Sequence, residues 1–500
     1  MKTLQFFTNN KFVTSKTTGY YPVFNPSTGE QIAQMPKVTR EEMDEVIANA
    51  EVAYQKWSRV PVIKRVQVLY KLRDLIDKHM DELTEICATE HGKVWEEARG
   101  DVLKAKEGTE LALSAPVLMQ GDSLMDASTG YDTVLYRESM GVFAGISPFN
   151  FPAMIPMGWM TPMCIATGNT IVLKVAGATP MTSLRFAELY KEAGLPDGVL
   201  NIIGCDRNET QHLVTHPAIK GVSFVGSTSV GRYIYELAGK GGKRVQTLCE
   251  AKNHALVLRD AAIERTAAGI VNAAFGCAGE RCMALPVVVV EDIIADELVA
   301  CLKKISEGLK VGPATDKTSQ LGPVYSKEHK QAVTAWIDRG VKDGATLVLD
   351  GRKTKVAGHE NGFYLGPTIF DNVTEKMAIG AEEIFGPVMC VKRVKNFEEG
   401  LKVMNANEFA NGSVIYTQSG YYAREFMRNT DGGMVGINVG IPVPVGFFPF
   451  SGHKNSFFGD LHCLGTDGVR FFTESKCVTT TWFSEKEKKS TKVSTWDGTI

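Results

Sequence analysis

What this chain lacks narrows its chemistry before any motif is read. No stretch is long and apolar enough to span a bilayer, and the first ten residues carry no sustained apolar core behind Lys2, so neither a membrane span nor a secretory signal is expected. The net charge is only −2 and the pI near 6.5, which leaves no broad basic field for nucleic acid or anionic lipid and no acidic tail. The 10 cysteines include no C-x-x-C pair and the 9 histidines no H-E-x-x-H, so neither a disulfide framework nor a metal site is expected. No internal repeat or low-complexity linker interrupts the chain. A cytoplasmic globular protein with a small-molecule partner remains, and 500 residues at 44% hydrophobic content suffice for two or three domains with their own cores.

The pattern of apolar residues sets the organisation. Thr39 and Glu42 form a capping box, and Met43, Val46, Ile47, Ala50, Tyr54 and Trp57 recur at helical spacing; a second helix is expected from about Ile63 to Ile86. From Gly141 onward, short apolar runs alternate with helical stretches: 141–146, 170–175, 199–203 and 221–225 read as strands, 154–166, 182–192 and 230–238 as helices. That is the signature of a doubly wound parallel sheet. After Glu250 a second alternating segment begins, with strands at 255–258 and 286–290 and a helix at 298–309. The cleft between the halves is the natural active site. The β-branched and aromatic run 476–483 is a strand with no evident partner, suited either to pairing across subunits or to a sheet edge, and a mobile polar tail follows from Ser484.

Chemistry concentrates in one segment, Phe275-Gly276-Cys277-Ala278-Gly279-Glu280-Arg281-Cys282-Met283. Cys282 sits in a small-residue turn beside an arginine whose charge favours thiolate over thiol, a setting for a nucleophile rather than a packed thiol. Four further motifs are ambiguous singly. Gly226-Ser227, with Gly231 five residues on, lies at a strand-to-helix turn that can present N–H groups to a phosphate or simply cap a helix, and it is not G-x-G-x-x-G. Lys174 ends an apolar strand at the sheet edge where cofactors bind in open α/β folds. Asn150, in the proline-braced turn Ser147-Pro148-Phe149-Asn150-Phe151-Pro152, is a neutral amide suited to an oxyanion. Glu383 and Phe385, before the Gly386-Pro387 turn, offer a carboxylate to ribose hydroxyls and a ring to a nicotinamide.

Taken together and in this order, these motifs resemble the aldehyde dehydrogenase superfamily over essentially the whole chain. The resemblance implies a Rossmann-type cofactor domain (1–119 and 139–249), an α/β catalytic domain (250–465), a small β oligomerisation flap (120–138 and 466–486) and a tail (487–500). It implies Cys282 as nucleophile, an oxyanion hole from Asn150 and the Cys282 N–H, and NAD held by Ser147, Phe149, Lys174, Gly226, Ser227, Gly231, Cys249, Glu383 and Phe385. The assembly implied is a homo-oligomer, a dimer of dimers.

Subfamilies differ in how the acyl group leaves. Hydrolytic members carry a general-base glutamate in an E-L-G-G-K pattern, whereas this chain reads Leu248-Cys249-Glu250-Ala251-Lys252-Asn253-His254, with Leu248 at the base position. That loss, with Arg281-Cys282-Met283-Ala284-Leu285 and Phe457-Phe458-Gly459-Asp460, resembles the CoA-acylating methylmalonate-semialdehyde dehydrogenase branch. The branch implies CoA as co-substrate, a malonate or methylmalonate semialdehyde losing its carboxylate, and acetyl- or propionyl-CoA as product. Arg281 then becomes the anchor for the substrate carboxylate. Departures leave alternatives open. Lys104 stands where the branch has a second arginine, which admits another acidic aldehyde. Glu250 replaces a glycine and either activates water, restoring hydrolysis, or faces solvent. The Lys174-Val175-Ala176-Gly177-Ala178 segment lacks the usual ribose-selecting carboxylate, leaving NADP open beside NAD. Cys277 is expected to fill space rather than to form a disulfide.

Overall fold

A computed structural model of the chain describes residues 2–483 and Glu485; the expected tail, 487–500, lies outside the described residues. The helix Arg40–Trp57 starts as its sequence dictates: Glu42 N–H donates to Thr39 Oγ1 (3.3 Å) and Thr39 N–H to Glu42 Oε2 (2.9 Å), closing the capping box. The expected helix over 63–86 is two, Val62–Lys78 and Met80–His91, broken at His79 (φ −107°, ψ 19°). The proline-rich stretch also divides, into a π-helical turn Met154–Met160 and an α-helix Thr161–Ala166. Close packing accompanies the wider winding. A Cβ at Gly108, on the helix Trp95–Ala112, would lie 2.2 Å from the Gly158 carbonyl oxygen, so the two backbones meet with no side chain between them.

Two large sheets form the frame. The first runs, in spatial order, Phe457–Gly459, Arg244–Leu248, Ile219–Val225, Val142–Ile146, Thr170–Lys174, Leu200–Ile203, Phe6–Thr8 and Lys11–Val13. The five strands from Arg244–Leu248 to Leu200–Ile203 are parallel. The chain winds one way from Val142–Ile146 through Thr170–Lys174 to Leu200–Ile203, then the other way through Ile219–Val225 to Arg244–Leu248. The order therefore reverses beside Val142–Ile146, opening the crevice that doubly wound sheets use for ligands. Phe457–Gly459 joins this sheet antiparallel to Arg244–Leu248, so a piece of the 250–465 segment completes the first unit's edge.

The second sheet has the order Thr346–Leu349, Thr368–Asp371, Val388–Val394, Val287–Glu291, His254–Val257, Gly412–Tyr416 and Met434–Ile437, parallel except at its first strand. Val287–Glu291 is buried along its whole length, as a strand covered on both faces must be. The run expected to lack a partner pairs within the chain: Thr473–Thr481 lies antiparallel to Tyr131–Ser139, with Ser123–Ser128 on the far side.

Candidate active site

The nucleophile loop is held in a conformation that few residues adopt. After the helix Ile263–Phe275 the chain turns through Cys277 (φ 50°), Ala278 (φ 53°) and Gly279 (φ 74°), three successive left-handed residues. Such backbone persists where its surroundings over-determine it. Here a Cβ on Gly279 would lie 2.1 Å from the Gly386 carbonyl oxygen, so the Phe385-Gly386-Pro387 turn presses directly onto the loop. Downstream, the Cys282 carbonyl accepts from Asn253 Nδ2 (2.9 Å) and Asn411 Nδ2 (3.2 Å). Asn253 also donates to the Ala284 carbonyl (2.7 Å) and accepts from Gly412 N–H (2.8 Å), pinning the nucleophile's backbone to the second sheet.

Asn150 reaches the same loop. Its Nδ2 donates to the Glu280 carbonyl (3.0 Å), and its own carbonyl accepts from Lys93 Nζ (2.6 Å). Lys93 is paired with Asp101 (3.0 Å), both fully buried, and Asp101 Oδ1 accepts from Met154 N–H (2.7 Å). One buried ion pair thus grips both ends of the turn that carries Asn150. Phe149 stacks on Tyr325 (3.7 Å between centroids) and meets Phe385 edge-on (5.9 Å), which brings two expected cofactor residues together. Beneath them Glu280, wholly buried, accepts from Tyr325 N–H (3.1 Å), and burial pushes its carboxyl well above the usual range.

The thiol of Cys282 is part-buried. Burial, and next the carboxylate of Glu383, push its pKa up to about 12, against the pull of Arg281 and backbone N–H groups. Arg281 already has partners within the loop and beside it. Its guanidinium pairs with Glu97 (3.0 Å), its Nε donates to Cys277 Sγ (3.2 Å), and it lies flat on Gly276, where a Cβ would sit 2.4 Å from Nη1. A largely buried guanidinium needs a carboxylate, and Glu97 supplies it, so Arg281 braces the loop from the residue directly before Cys282. Lys104 likewise is paired with Glu107 (2.6 Å) on an exposed helix face. Cys277 is a buried free thiol against Arg281.

On the cofactor side, Lys174 lines a cavity of about 440 Å³ with Tyr21, Asp206, Arg207, Ser229, Val230 and Tyr233, at the carboxyl ends of the inner strands. Ser147 N–H donates to the Lys174 carbonyl (3.0 Å), tying two of the expected residues. Gly226-Ser227 leads into the helix Thr228–Lys240, with Ser227 extended at its N-cap. A strand-end lysine, a helix start and a cavity at the sheet's switch point together fit a dinucleotide. Gly231 and Cys249 adjoin: a Cβ on Gly231 would lie 2.3 Å from Cys249 Sγ, so these residues pack on each other, glycine making room for the thiol. At position 177 a Cβ would meet Cγ of Tyr21 at 2.4 Å, so the tyrosine ring takes the space of a side chain there.

The carboxylates near the nucleophile are engaged. Glu383 accepts from Ala251 N–H (2.9 Å), and burial raises its pKa to about 8, with Glu250 adding to the rise. Glu250 is part-exposed and accepts from Thr228 N–H (2.9 Å). Leu248 is buried in the core. Away from this site, Asp44, His212 and His216 cluster on the surface; His212 Nε2 hydrogen-bonds Asp44 Oδ1 (2.5 Å), and His216 Nδ1 accepts from Ala218 N–H (3.2 Å).

The aldehyde dehydrogenase family profile matches residues 12–478. The chain belongs to the aldehyde dehydrogenase family. It is 47% identical over 482 residues to a protein named malonate-semialdehyde dehydrogenase 2 of Geobacillus kaustophilus, a match covering 96% of this chain and 99% of that one. Among solved structures it resembles the methylmalonate-semialdehyde dehydrogenase of Oceanimonas doudoroffii (TM-score 0.96, 42% identity, 98% and 100% of the two chains). It also resembles a Sinorhizobium meliloti protein described as a methylmalonate-semialdehyde dehydrogenase, in complex with NAD (TM-score 0.95, 40% identity, 97% and 99%). Several residues that hold this aldehyde dehydrogenase's site were not singled out from sequence: Lys93, Asp101, Glu97, Glu280, Asn253 and Asn411. Only Asn253 carried a visible signal, a polar Lys-Asn-His step leading into the apolar strand His254–Val257.

Proposed function

We propose that the enzyme oxidises malonate or methylmalonate semialdehyde with NAD through a Cys282 thioester, and passes the acyl group to CoA after loss of the carboxylate. The Cys282 sulfur adds to the aldehyde carbon, and Asn150 Nδ2 with the Cys282 N–H holds the developing oxyanion. Ser147, Phe149, Lys174, Ser227, Glu383 and Phe385 hold the cofactor, whose nicotinamide supplies the hydride acceptor. The bond from the α-carbon to the carboxylate breaks, carbon dioxide (or, with a water, bicarbonate) leaves, the α-carbon of the resulting enolate takes a proton from solvent, and the CoA thiol then displaces Cys282 from the thioester as acetyl- or propionyl-CoA forms.

One observation carries the choice of CoA over water: Leu248 fills the base position with a buried apolar side chain. We assign 1–119 with 139–249 to the cofactor domain and 250–465 to the catalytic domain, supported by the two sheets except for Phe457–Gly459, which completes the first, and we assign the 120–138 and 466–486 flap to homo-oligomer assembly. Its support is a three-stranded antiparallel sheet carrying exposed Leu124, Met125, Tyr136 and Trp482. A cytoplasmic location is supported by ten free cysteines. The test is reduced-cofactor formation from each semialdehyde with and without CoA, with products identified by mass. Sustained turnover only with CoA, giving the acyl-CoA, is expected; steady release of free acid without CoA would overturn the reading.

A further inference from the structure

We propose that Glu250 is a built-in competitor for the cofactor's phosphates, so that dinucleotide binding proceeds by displacing a carboxylate from the start of the helix Thr228–Lys240. The inference rests on the dinucleotide reading above. Ser227 holds the N-cap position in an extended conformation, yet its side chain makes no capping hydrogen bond. The cap comes from across the sheet. Glu250 accepts from Thr228 N–H (2.9 Å), while its own N–H donates to Thr228 Oγ1 (3.2 Å), a reciprocal latch between the end of the strand Arg244–Leu248 and the first turn of a 13-residue helix. Thr228 Oγ1 is fixed in turn by donating to the Asn455 carbonyl (3.2 Å).

Unpaired N–H groups and the helix dipole make such a helix start an anion seat. The next residues of the turn, Ser229 and Val230, line the Lys174 cavity, so the seat adjoins the pocket assigned to the adenosine end. A pyrophosphate bridging that pocket and the nucleophile needs the N–H groups and the positive end of the dipole that Glu250 already engages. The carboxylate and the phosphates carry like charge, and they cannot both sit there. Glu250 is felt on its other side too: its charge helps raise the pKa of Glu383, the residue assigned to the ribose. The consequence is weaker binding and faster departure of NAD and NADH than a residue without charge at 250 would allow.

The test is NAD affinity of the full-length enzyme, measured by titration calorimetry, for wild type, Glu250→Gly and Glu250→Gln, with adenosine as the phosphate-free control. Glu250→Gly is expected to tighten NAD about tenfold, equivalent to about 1.4 kcal/mol. Glu250→Gln keeps an acceptor for Thr228 N–H but loses the charge, and is expected to fall between the two. Adenosine affinity should not change. Raising salt from about 0.02 to 0.5 M should narrow the gap between wild type and variants, which loss of a cap alone would not do. Equal or weaker NAD binding by both variants overturns the inference while leaving the dinucleotide reading intact. Failure of wild type and variants alike to bind NAD overturns the dinucleotide reading itself.

Discussion

Replacing Asp101 with asparagine should destabilise the protein strongly, by a calculable route. Asp101 and Lys93 are both fully excluded from solvent, 3.0 Å apart, and Asp101 also accepts the Met154 N–H. Asp101→Asn keeps the shape and an oxygen for Met154 but removes the counter-charge of a buried ammonium, a change of about 3–5 kcal/mol. In Lys93→Met/Asp101→Asn both charges go while the amide oxygen at 101 still accepts from Met154 N–H, leaving chiefly the Asn150 carbonyl unpaired, at about 1–3 kcal/mol. The double variant should therefore unfold at higher urea than Asp101→Asn. Activity should not follow stability. Without Lys93 the Asn150 carbonyl loses its donor and the amide loses its aim at the nucleophile loop, so kcat should stay at least about tenfold down, roughly 1.4 kcal/mol in the barrier. Urea melts paired with steady-state kinetics decide the matter. A loss under about 1 kcal/mol for Asp101→Asn, or a double variant no more stable than the single, would refute the argument.

Three other expectations follow from the site. With its thiol pushed up to about 12, Cys282 of the free enzyme should be alkylated by iodoacetamide at a rate that climbs steadily from pH 7 to about 10; a plateau near pH 7, or turnover surviving in Cys282→Ala, would contradict the site as drawn. Glu383 is raised from an ordinary 4.5 to about 8, so between those values the folded protein holds a proton that the unfolded chain has released. Stability should fall as pH rises through that window and level off above it, and Glu383→Gln should flatten the slope in pH-dependent melts. Gly231→Ala should cost about 1–3 kcal/mol through its contact with Cys249 Sγ, and Cys249→Ala in the same chain should restore most of it; an unrescued loss in thermal melts would place the strain elsewhere.

Local sequence determined much of this protein by itself. The Thr39/Glu42 capping box begins a helix because its bonds join residues three apart. The β-branched run Val287-Val288-Val289-Val290 becomes a strand buried on both faces because nothing else suits so apolar a segment. The small residues before Cys282 announced a loop that folds through left-handed backbone. Partners distant in sequence were decided only in three dimensions. Arg281 reads as a charge beside a nucleophile, and only the fold pairs it with Glu97, 184 residues away. Glu250 read as a base or a solvated side chain, and the sheet order instead sets it beside Thr228. That Gly231 and Cys249 touch was decided only where strand and helix met. The physical reason is shared. A charge or a close-packed atom is satisfied by whatever the fold brings within about 3 Å, and sequence spacing carries no record of that distance once the chain has crossed the sheet.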